Sequence, residues 1–394
     1  MGDIVRFITE FLLYGNKDAV QRVGYTEDES KWQQYDVVIV PCGKLGMKLV
    51  MPDLTQPQPE RIGNTWVIRT DIVYNSFFFI SGAEEILVNE RDEHNRFLAR
   101  HSLLGQDDRL MTPLIDEYGR MLLRLLGLPM PEEKLTTIYL THDVDSIARY
   151  RHLRGFLGGV KRGQLQRAIA SVRNIKQDPD YTFPWLMQQD ATLAPKSCPV
   201  YPMYFMKDTM GYGYDYPQYD LDGHDFHFLA FKMMKTGAQI GWHSSYYNQL
   251  AKEHNIAINY SHHRSHYLRC SVDWLEKISH QGVMHDYSMG FADRAGFRLQ
   301  TARPVQWINP YTYEITSMVL HPLLIMDVTL SGQKYMGLNQ ADAMKLCRQL
   351  IDKSQQMGGE LNLLWHNSNV GEDSYHRQLY PALLQYIQEK TEKK

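Results

Sequence analysis

The sequence predicts an α/β protein whose larger part is a barrel of parallel strands joined by helical crossovers. Three observations predict it. Beyond residue 135, seven short apolar runs recur, separated by longer helical or loop stretches, which is the alternation of βαβ units. The runs end in polar groups, among them Asp143, His243, His266, Asp286, Asp327 and His366. Barrels of this kind carry catalytic groups at the C-terminal ends of several strands. A doubly wound sheet would account for the alternation alone; the polar strand ends favour the barrel. The third observation is a break at "GLPMPEEK", 127–134, where two prolines and a glycine follow a helical pattern. It divides the chain into an N-terminal α/β region, 1–130, and the barrel, 131–394.

The elements follow in order. In "MGDIVRFITEFLLYGNKDAV", Ile4, Val5, Ile8, Phe11 and Leu12 fit one helical face, while Asp3, Arg6 and Glu10 interrupt the apolar run. This reads as a helix rather than a signal peptide. "YDVVIVPC" (35–42) and "TWVIRTDIVYNSFFFISG" (65–82) read as strands among helices. "RDEHNRF" (91–97) reads as a solvated loop or a contact between the two regions. "PLIDEYGRMLLRLL" is helical. The barrel runs are "TIYLTHD" near 137–143, "PVYPMYFM" at 199–206, "QIGWHSS" at 239–245, "HRSHYLR" at 263–269, "VMHDYSM" at 283–289, "HPLLIMDVTL" at 321–330 and "LNLLWHN" at 361–367. Segments such as "AMKLCRQLIDKSQQ" supply the helices between them.

Composition narrows the function. A net charge of −3 gives no global field for nucleic acid, so no nucleic-acid partner is expected. The four cysteines, Cys42, Cys198, Cys270 and Cys347, show no CxxC spacing and read as reduced thiols of a cytoplasmic protein. No segment approaches 18 uninterrupted apolar residues, so no membrane span is expected.

Strand side chains alternate faces. If Asp143 points into the barrel, Tyr139, Thr141 and Asp145 share its side, and His142 points toward the helices. The same rule groups Gly241, His243 and Ser245, then Arg264 with His266, Asp286 with Ser288, and Leu364 with His366. Trp242 and Trp365 fall on the packing face. Carboxylates and imidazoles that converge in this way suit a divalent metal, zinc above all, with a position open for water. Such an ion makes water nucleophilic near neutral pH and polarises a carbonyl. A carboxylate then takes the proton of the water, and an imidazolium gives one to the leaving group. Asp143 or Asp145 would be ligand and the other base, with His243 as ligand and His366 as acid.

These residues resemble the polysaccharide deacetylases, carbohydrate esterase family 4, over about 137–390. More narrowly, residues 1–130, with "SFFFISGAEEIL" and "RDEHNRF", are similar to an uncharacterised domain that precedes the deacetylase domain in a bacterial subgroup. The resemblance implies a distorted (β/α)7 barrel and a metal-dependent deacetylase. The family's first motif, Thr-Phe-Asp-Asp-Gly, corresponds to Thr141-His142-Asp143-Val144-Asp145. Asp143 matches the base. Val144 stands where the ligand should be, which moves the metal to Asp145. The second motif, with two histidines, corresponds to "HSSYYNQ" and keeps His243, but Tyr247 replaces the second histidine. The third, Arg-x-Pro-Tyr, corresponds to Arg264-Ser265-His266-Tyr267. Arg264 would hold the base, and His266 would supply the missing ligand. In the fourth, "DYSMGF" offers Asp286, with Asp327 as the other candidate, to orient the acid. The fifth, Leu-x-His, gives His366 as acid. "GFADRAGFR" offers Arg298 as a contact for a substrate carboxylate or phosphate, or as a structural ion pair.

The expected substrate is a carbohydrate or glycan precursor. Tyr212, Tyr214, Tyr216 and Tyr219 in "MGYGYDYPQYD" (210–220), with Tyr267, are candidates to stack on sugar rings. Residues 149–176 hold eight Lys/Arg and no Asp/Glu among aliphatic residues. Such a stretch suits an anionic membrane surface or a phosphate-bearing substrate, and makes the protein peripheral to the membrane at most; the alternative is a solvated helix balanced by acidic neighbours. Two other readings stay open. One is a degenerate deacetylase fold that binds glycan without catalysis. The other is a metal-dependent amidohydrolase with a non-sugar substrate.

Overall fold

Ile4, Ile8 and Leu12, one helical turn apart, are buried along one side of α1 (Gly2–Leu12). The computed structural model describes residues 2–43, 45–105, 108–208, 212–217, 220–251 and 255–392. Four short strands follow α1: β1 (Val23–Tyr25), β2 (Val37–Ile39), β3 (Glu60–Ile62) and β4 (Thr65–Ile68), in the order β1-β2-β4-β3. The expectation of a strand through 65–82 is corrected: β4 stops at Ile68, and Ile72–Ser81 is a helix, α2. Asp71 caps its first turn by accepting from the Tyr74 N–H, and Gly82 closes it in the left-handed conformation. Every residue of α2 is buried, so no polar face marks its period. α3 (Glu84–Leu87) and α4 (Leu114–Leu125) complete the region. Its core is continuous with that of the rest of the chain: Ile8, Phe77 and Leu122 join the same buried cluster as Trp274, Trp307 and Leu320.

The second sheet has nine strands. In chain order they are β5 (Ile138–Val144), β6 (Val200–Lys207), β7 (Gln239–Ser244), β8 (Asn259–Ser265), β9 (His285–Asp286), β10 (Val305–Ile308), β11 (Ile315–Leu320), β12 (Ile325–Met326) and β13 (Leu361–Leu364). The intervening helices are α5 (Leu153–Lys161), α6 (Leu165–Arg173), α7 (Phe183–Asp190), α8 (His224–Lys235), α9 (Val272–His280), α10 (Asp327–Ser331) and α11 (Gln340–Gln356), with α12 (His376–Glu392) last. The spatial order is β10-β11-β9-β8-β7-β6-β5-β13-β12. All neighbours are parallel except β10 with β11.

The sheet is strongly curled. β5 and β8 lie three strands apart, about 14 Å in a flat sheet. Yet Arg264 of β8 donates to the Thr141 hydroxyl of β5 at 2.9 Å. Tyr139 and Tyr287, on β5 and just past β9, have ring centroids 5.2 Å apart. The seven-stranded barrel needs correction in one respect. Among the described residues β12 pairs with β13 but not with β9, so the ladder does not close. The irregular 321–324 segment bridges the gap, through Leu323 N–H to the Met289 carbonyl and Leu324 N–H to the Asn362 carbonyl, both 3.2 Å. The β10–β11 hairpin extends the sheet beyond β9.

The strands' N-terminal end encloses a packed histidine group. The His262 ring stacks on His285 with centroids 4.8 Å apart, His285 Nδ1 lies 3.0 Å from His321 Nε2, and His321 Nδ1 lies 3.0 Å from Glu360. Burial, aided by the charges of His285 and His321, pushes His262 down to about 4. The native state therefore refuses a proton that the unfolded chain takes up below about pH 6.5. Stability from this source is whole above about pH 6.5, falls as the pH drops toward 4, and levels below it. The loss is on the order of 2 kcal/mol once the partial exposure of the ring is allowed for. Urea unfolding across this range should show the slope, and His262→Asn should flatten it; an unchanged slope in the variant would reject the assignment.

Candidate metal centre

The C-terminal ends of the strands bring Asp145, His243 and His266 together. Asp145 is the first residue past β5, and His243 is near the end of β7. His266 follows β8 in a tight turn, not in the strand expected over 263–269; β8 occupies Asn259–Ser265 instead. One ligand atom from each of the three lies within 4.8 Å of the others. Asp145 Oδ1 is 3.1 Å from His266 Nε2 and 3.4 Å from His243 Nε2. Both rings are held by their other nitrogen. His243 Nδ1 lies 3.0 Å from the Arg264 carbonyl, and His266 Nδ1 lies 2.9 Å from Asp215 Oδ1. A carbonyl only accepts, so His243 Nδ1 carries the proton and its Nε2 offers a lone pair.

This donor set fits a divalent ion. Two imidazole nitrogens and a carboxylate oxygen converge, each imidazole oriented by an acceptor behind it, as metal-binding histidines are. His243 Nε2 and Asp145 Oδ1 are buried and make no hydrogen bond, which a ligated cation would remedy. Burial opposes ionisation of Asp145, but the charge of His266, with both imidazoles close by, holds the carboxyl well below its usual range. Burial pulls His243 down. Burial also works against a charged His266, but Asp145 and Asp215 outweigh it and raise that ring.

Two further groups flank the trio. Asp143, inside the curl of the sheet, has one oxygen 3.7 Å from His243 Nε2 and the other 3.8 Å from Arg264 Nη1. Arg264 is fully buried, donates to Thr141 and lies over the Phe205 ring. His366 has Nε2 3.9 Å from Asp145 Oδ2 and Nδ1 2.8 Å from Asp327 Oδ1. Burial would pull His366 down, but Asp327 outweighs it and pushes the ring up to about 10. Asp327, fixed by the backbone N–H of His366 and by Asn369, is thus the carboxylate that orients His366.

Asp286 does not have that role. It bonds His263 Nδ1 at 2.6 Å and the Ser288 hydroxyl and N–H, on the side of β8 away from Arg264. Arg298 also leaves the site: it pairs with Glu85 and donates to the Gly290 carbonyl, tying the N-terminal region to the sheet. His142 faces the helices, with its ring against Tyr204 and Tyr380 and Nε2 3.1 Å from Asp190.

A cavity of about 260 Å³ opens onto Asp143, Asp145, His266 and His366, with Tyr267 and Tyr335 in its wall. Tyr214 packs on Tyr246 and Tyr267 beside it. Tyr212 stacks on Tyr247 instead and does not line the cavity. Tyr219 lies outside the described residues.

Three residues of the site escaped the sequence reading. Asp215 sits in a loop read only for its tyrosines. Lys207, at the end of β6, donates to the Asp215 carbonyl at 3.1 Å; burial pulls its pKa down against the charges of Asp145 and Asp215. Arg96 comes from "RDEHNRF". It lines the cavity, bonds Asp92 at 2.7 and 2.9 Å, and donates to the Tyr267 carbonyl at 3.1 Å and the Tyr335 hydroxyl at 2.9 Å. Tyr267 and Leu268 have φ of +59° and +54°, which costs about 1–2 kcal/mol each for side chains of this kind. Arg96, with the His94 carbonyl accepting from Arg269 at 2.7 Å, braces the turn that carries His266.

Comparison with known proteins adds the following. No curated protein matches the chain. A crystal structure described as a "putative polysaccharide deacetylase from Mycobacterium smegmatis" superposes with a TM-score of 0.43 at 15% identity, over 67% of this chain and 87% of that one. One from Bordetella bronchiseptica, described as a "putative polysaccharide deacetylase involved in o-antigen biosynthesis", gives a TM-score of 0.28 at 13% identity, over 64% and 83%. Residues 13–131, the stretch that includes Arg96 and Asp92, match DUF7033, a family of unknown function.

Proposed function

We propose that the chain is a metal-dependent hydrolase that removes acetyl groups, N-acetyl groups foremost, from a carbohydrate or glycan precursor. One observation carries this reading. A three-ligand centre of Asp145, His243 and His266 is flanked by a carboxylate held near an arginine, Asp143 with Arg264, and by an imidazole held by a carboxylate, His366 with Asp327. A pure binding site has no need of a base and an acid set apart in this way. A bound divalent cation, zinc foremost, would supply Lewis-acid polarisation of the acyl carbonyl and a water of lowered pKa.

The chain's own residues then divide the proton work. Asp143 takes a proton from the attacking water, whose oxygen bonds to the acyl carbon. Arg264 stays beside Asp143 and fixes its place. His366 holds a proton at Nε2 and gives it to the leaving nitrogen as the C–N bond breaks. Asp327 keeps the His366 ring turned and favours its charged form. The cavity volume falls just below the roughly 300–1,000 Å³ of small-molecule pockets, which suits one acetylated ring of a larger molecule. Tyr267 and Tyr335 give the wall an aromatic character that favours a sugar over an aliphatic amide.

The test is acetate release from an N-acetylated oligosaccharide by the purified chain. Release should disappear after dialysis against a chelator and return with zinc. Oligosaccharide binding without release would favour the glycan-binding reading, and release from non-sugar acetamides alone would favour the amidohydrolase.

A further inference from the structure

The basic stretch noted in the sequence folds as a helical arm, α5 and α6, at the rim of the candidate centre. Arg149 is the fourth residue after Asp145, at most about 14 Å of chain away. On α5, Leu153, Leu157 and Val160 recur at i, i+4 and i+7 and form one stripe. Leu165 and Val172 repeat the spacing on α6. These five side chains are between 41% and 73% exposed. The buried residues of the arm are small, Gly159 on α5 and Ala168 and Ser171 on α6. Of the eight cations in 149–176, Arg149 and Arg151 pair with Asp180 and Asp225, and Arg154 lies over the Tyr216 ring. Lys161, Arg162, Arg167, Arg173 and Lys176 are exposed and make no ion pair among the described residues. The acidic neighbours that would neutralise a merely solvated helix therefore reach only two of the eight.

We propose that this arm docks on an anionic lipid bilayer, with the aliphatic stripe in the interfacial layer and the cations on the headgroups. Charge and apolarity choose this occupant together. A soluble polyanion would use the cations but leave the leucines in water. A second copy of the chain would bring like charges face to face. An anionic bilayer satisfies both. The arm is also tied to the centre. His152, the cap of α5, has Nδ1 3.0 Å from the Tyr216 hydroxyl. Tyr216 follows Asp215, which holds His266. A docked arm would set the cavity beside the membrane surface, so the substrate class becomes a membrane-anchored acetylated glycan. That last clause rests on the proposed function; the docking does not.

Sedimentation of the full chain with phosphatidylcholine vesicles, with and without phosphatidylglycerol, tests the docking. Binding is expected only to the anionic vesicles and should weaken with salt. Leu153→Ser/Leu157→Ser and, separately, Lys161→Gln/Arg162→Gln should each lower partitioning roughly tenfold or more with circular dichroism unchanged. Failure to bind, or equal binding to neutral vesicles, would overturn the proposal. So would undiminished binding of the leucine variant, which with competition by heparin would mark a polyanion site. For the substrate clause, the leucine variant should lose turnover of an acetylated glycolipid in vesicles and keep that of a soluble oligosaccharide. Equal effects on both substrates would reject the clause. No turnover of either by the unaltered chain, with vesicle binding intact, would reject the proposed chemistry and leave the docking standing.

Discussion

Asp143→Asn is expected to lower turnover roughly a thousandfold, within the 10²–10⁴ that general acid–base groups contribute. The substitution keeps the shape of the side chain. It also leaves Asp145, His243 and His266 in place, so metal content and substrate affinity should change little. That combination distinguishes a base from a ligand. Steady-state kinetics with metal analysis on the same preparation reads both quantities. If activity survives, Asp143 is not the base; if metal is lost along with activity, Asp143 is a ligand and the division between the two carboxylates is wrong.

His266→Ala should act on the other quantity. It removes one of three candidate ligands and leaves the Asp215 carboxylate with the Ser245 hydroxyl and the Tyr246 N–H among the described residues. Bound metal is expected to fall from near one per chain to a small fraction, with an affinity loss well beyond the roughly 10–100-fold seen when only a supporting partner is removed. Activity should fall with metal content and recover partly at high zinc. Unchanged stoichiometry, with circular dichroism intact, would take His266 out of the centre. Tyr247, at the place where a second histidine would stand in "HSSYYNQ", stacks on Tyr212, so the variant bears directly on how the centre is built.

Where strands are long, their side-chain period was legible. β5 has seven residues, and the rule of two places Tyr139, Thr141 and Asp143 inside and His142 outside, as the contacts have it. Where strands are short, the period had too few residues to act on. β9 and β12 have two residues each, so the sequence puts Asp286 ahead of Asp327, and packing reverses the order. β8 reads "NYSHHRS", with no apolar alternation to mark its limits, and the reading ran several residues late. The buried helix α2 reads as strand because a helix apolar on all sides has no stripe. The hairpin "VQWI" and "ITSMVL" is antiparallel and falls outside the alternation of parallel units, with only the turn residues "NPYTY" to mark it. Arg298 and Arg96 share another limit. Their partners, Glu85 and Tyr267, lie 213 and 171 residues away, a distance over which local pattern says nothing.

The bracing of the His266 turn by Arg96 has a consequence for the order in which the molecule matures. The loop that carries Arg96 is made early in synthesis, and the turn it supports much later. The candidate centre is complete only once these distant stretches have met. A cation bound by Asp145, His243 and His266 would favour the native state over the unfolded one, by an amount that grows with its free concentration. It would thereby stabilise the contact between the two regions as well. Metal uptake by the nascent protein would then serve as a checkpoint on complete folding, and metal starvation would first loosen the seam between the N-terminal region and the curled sheet.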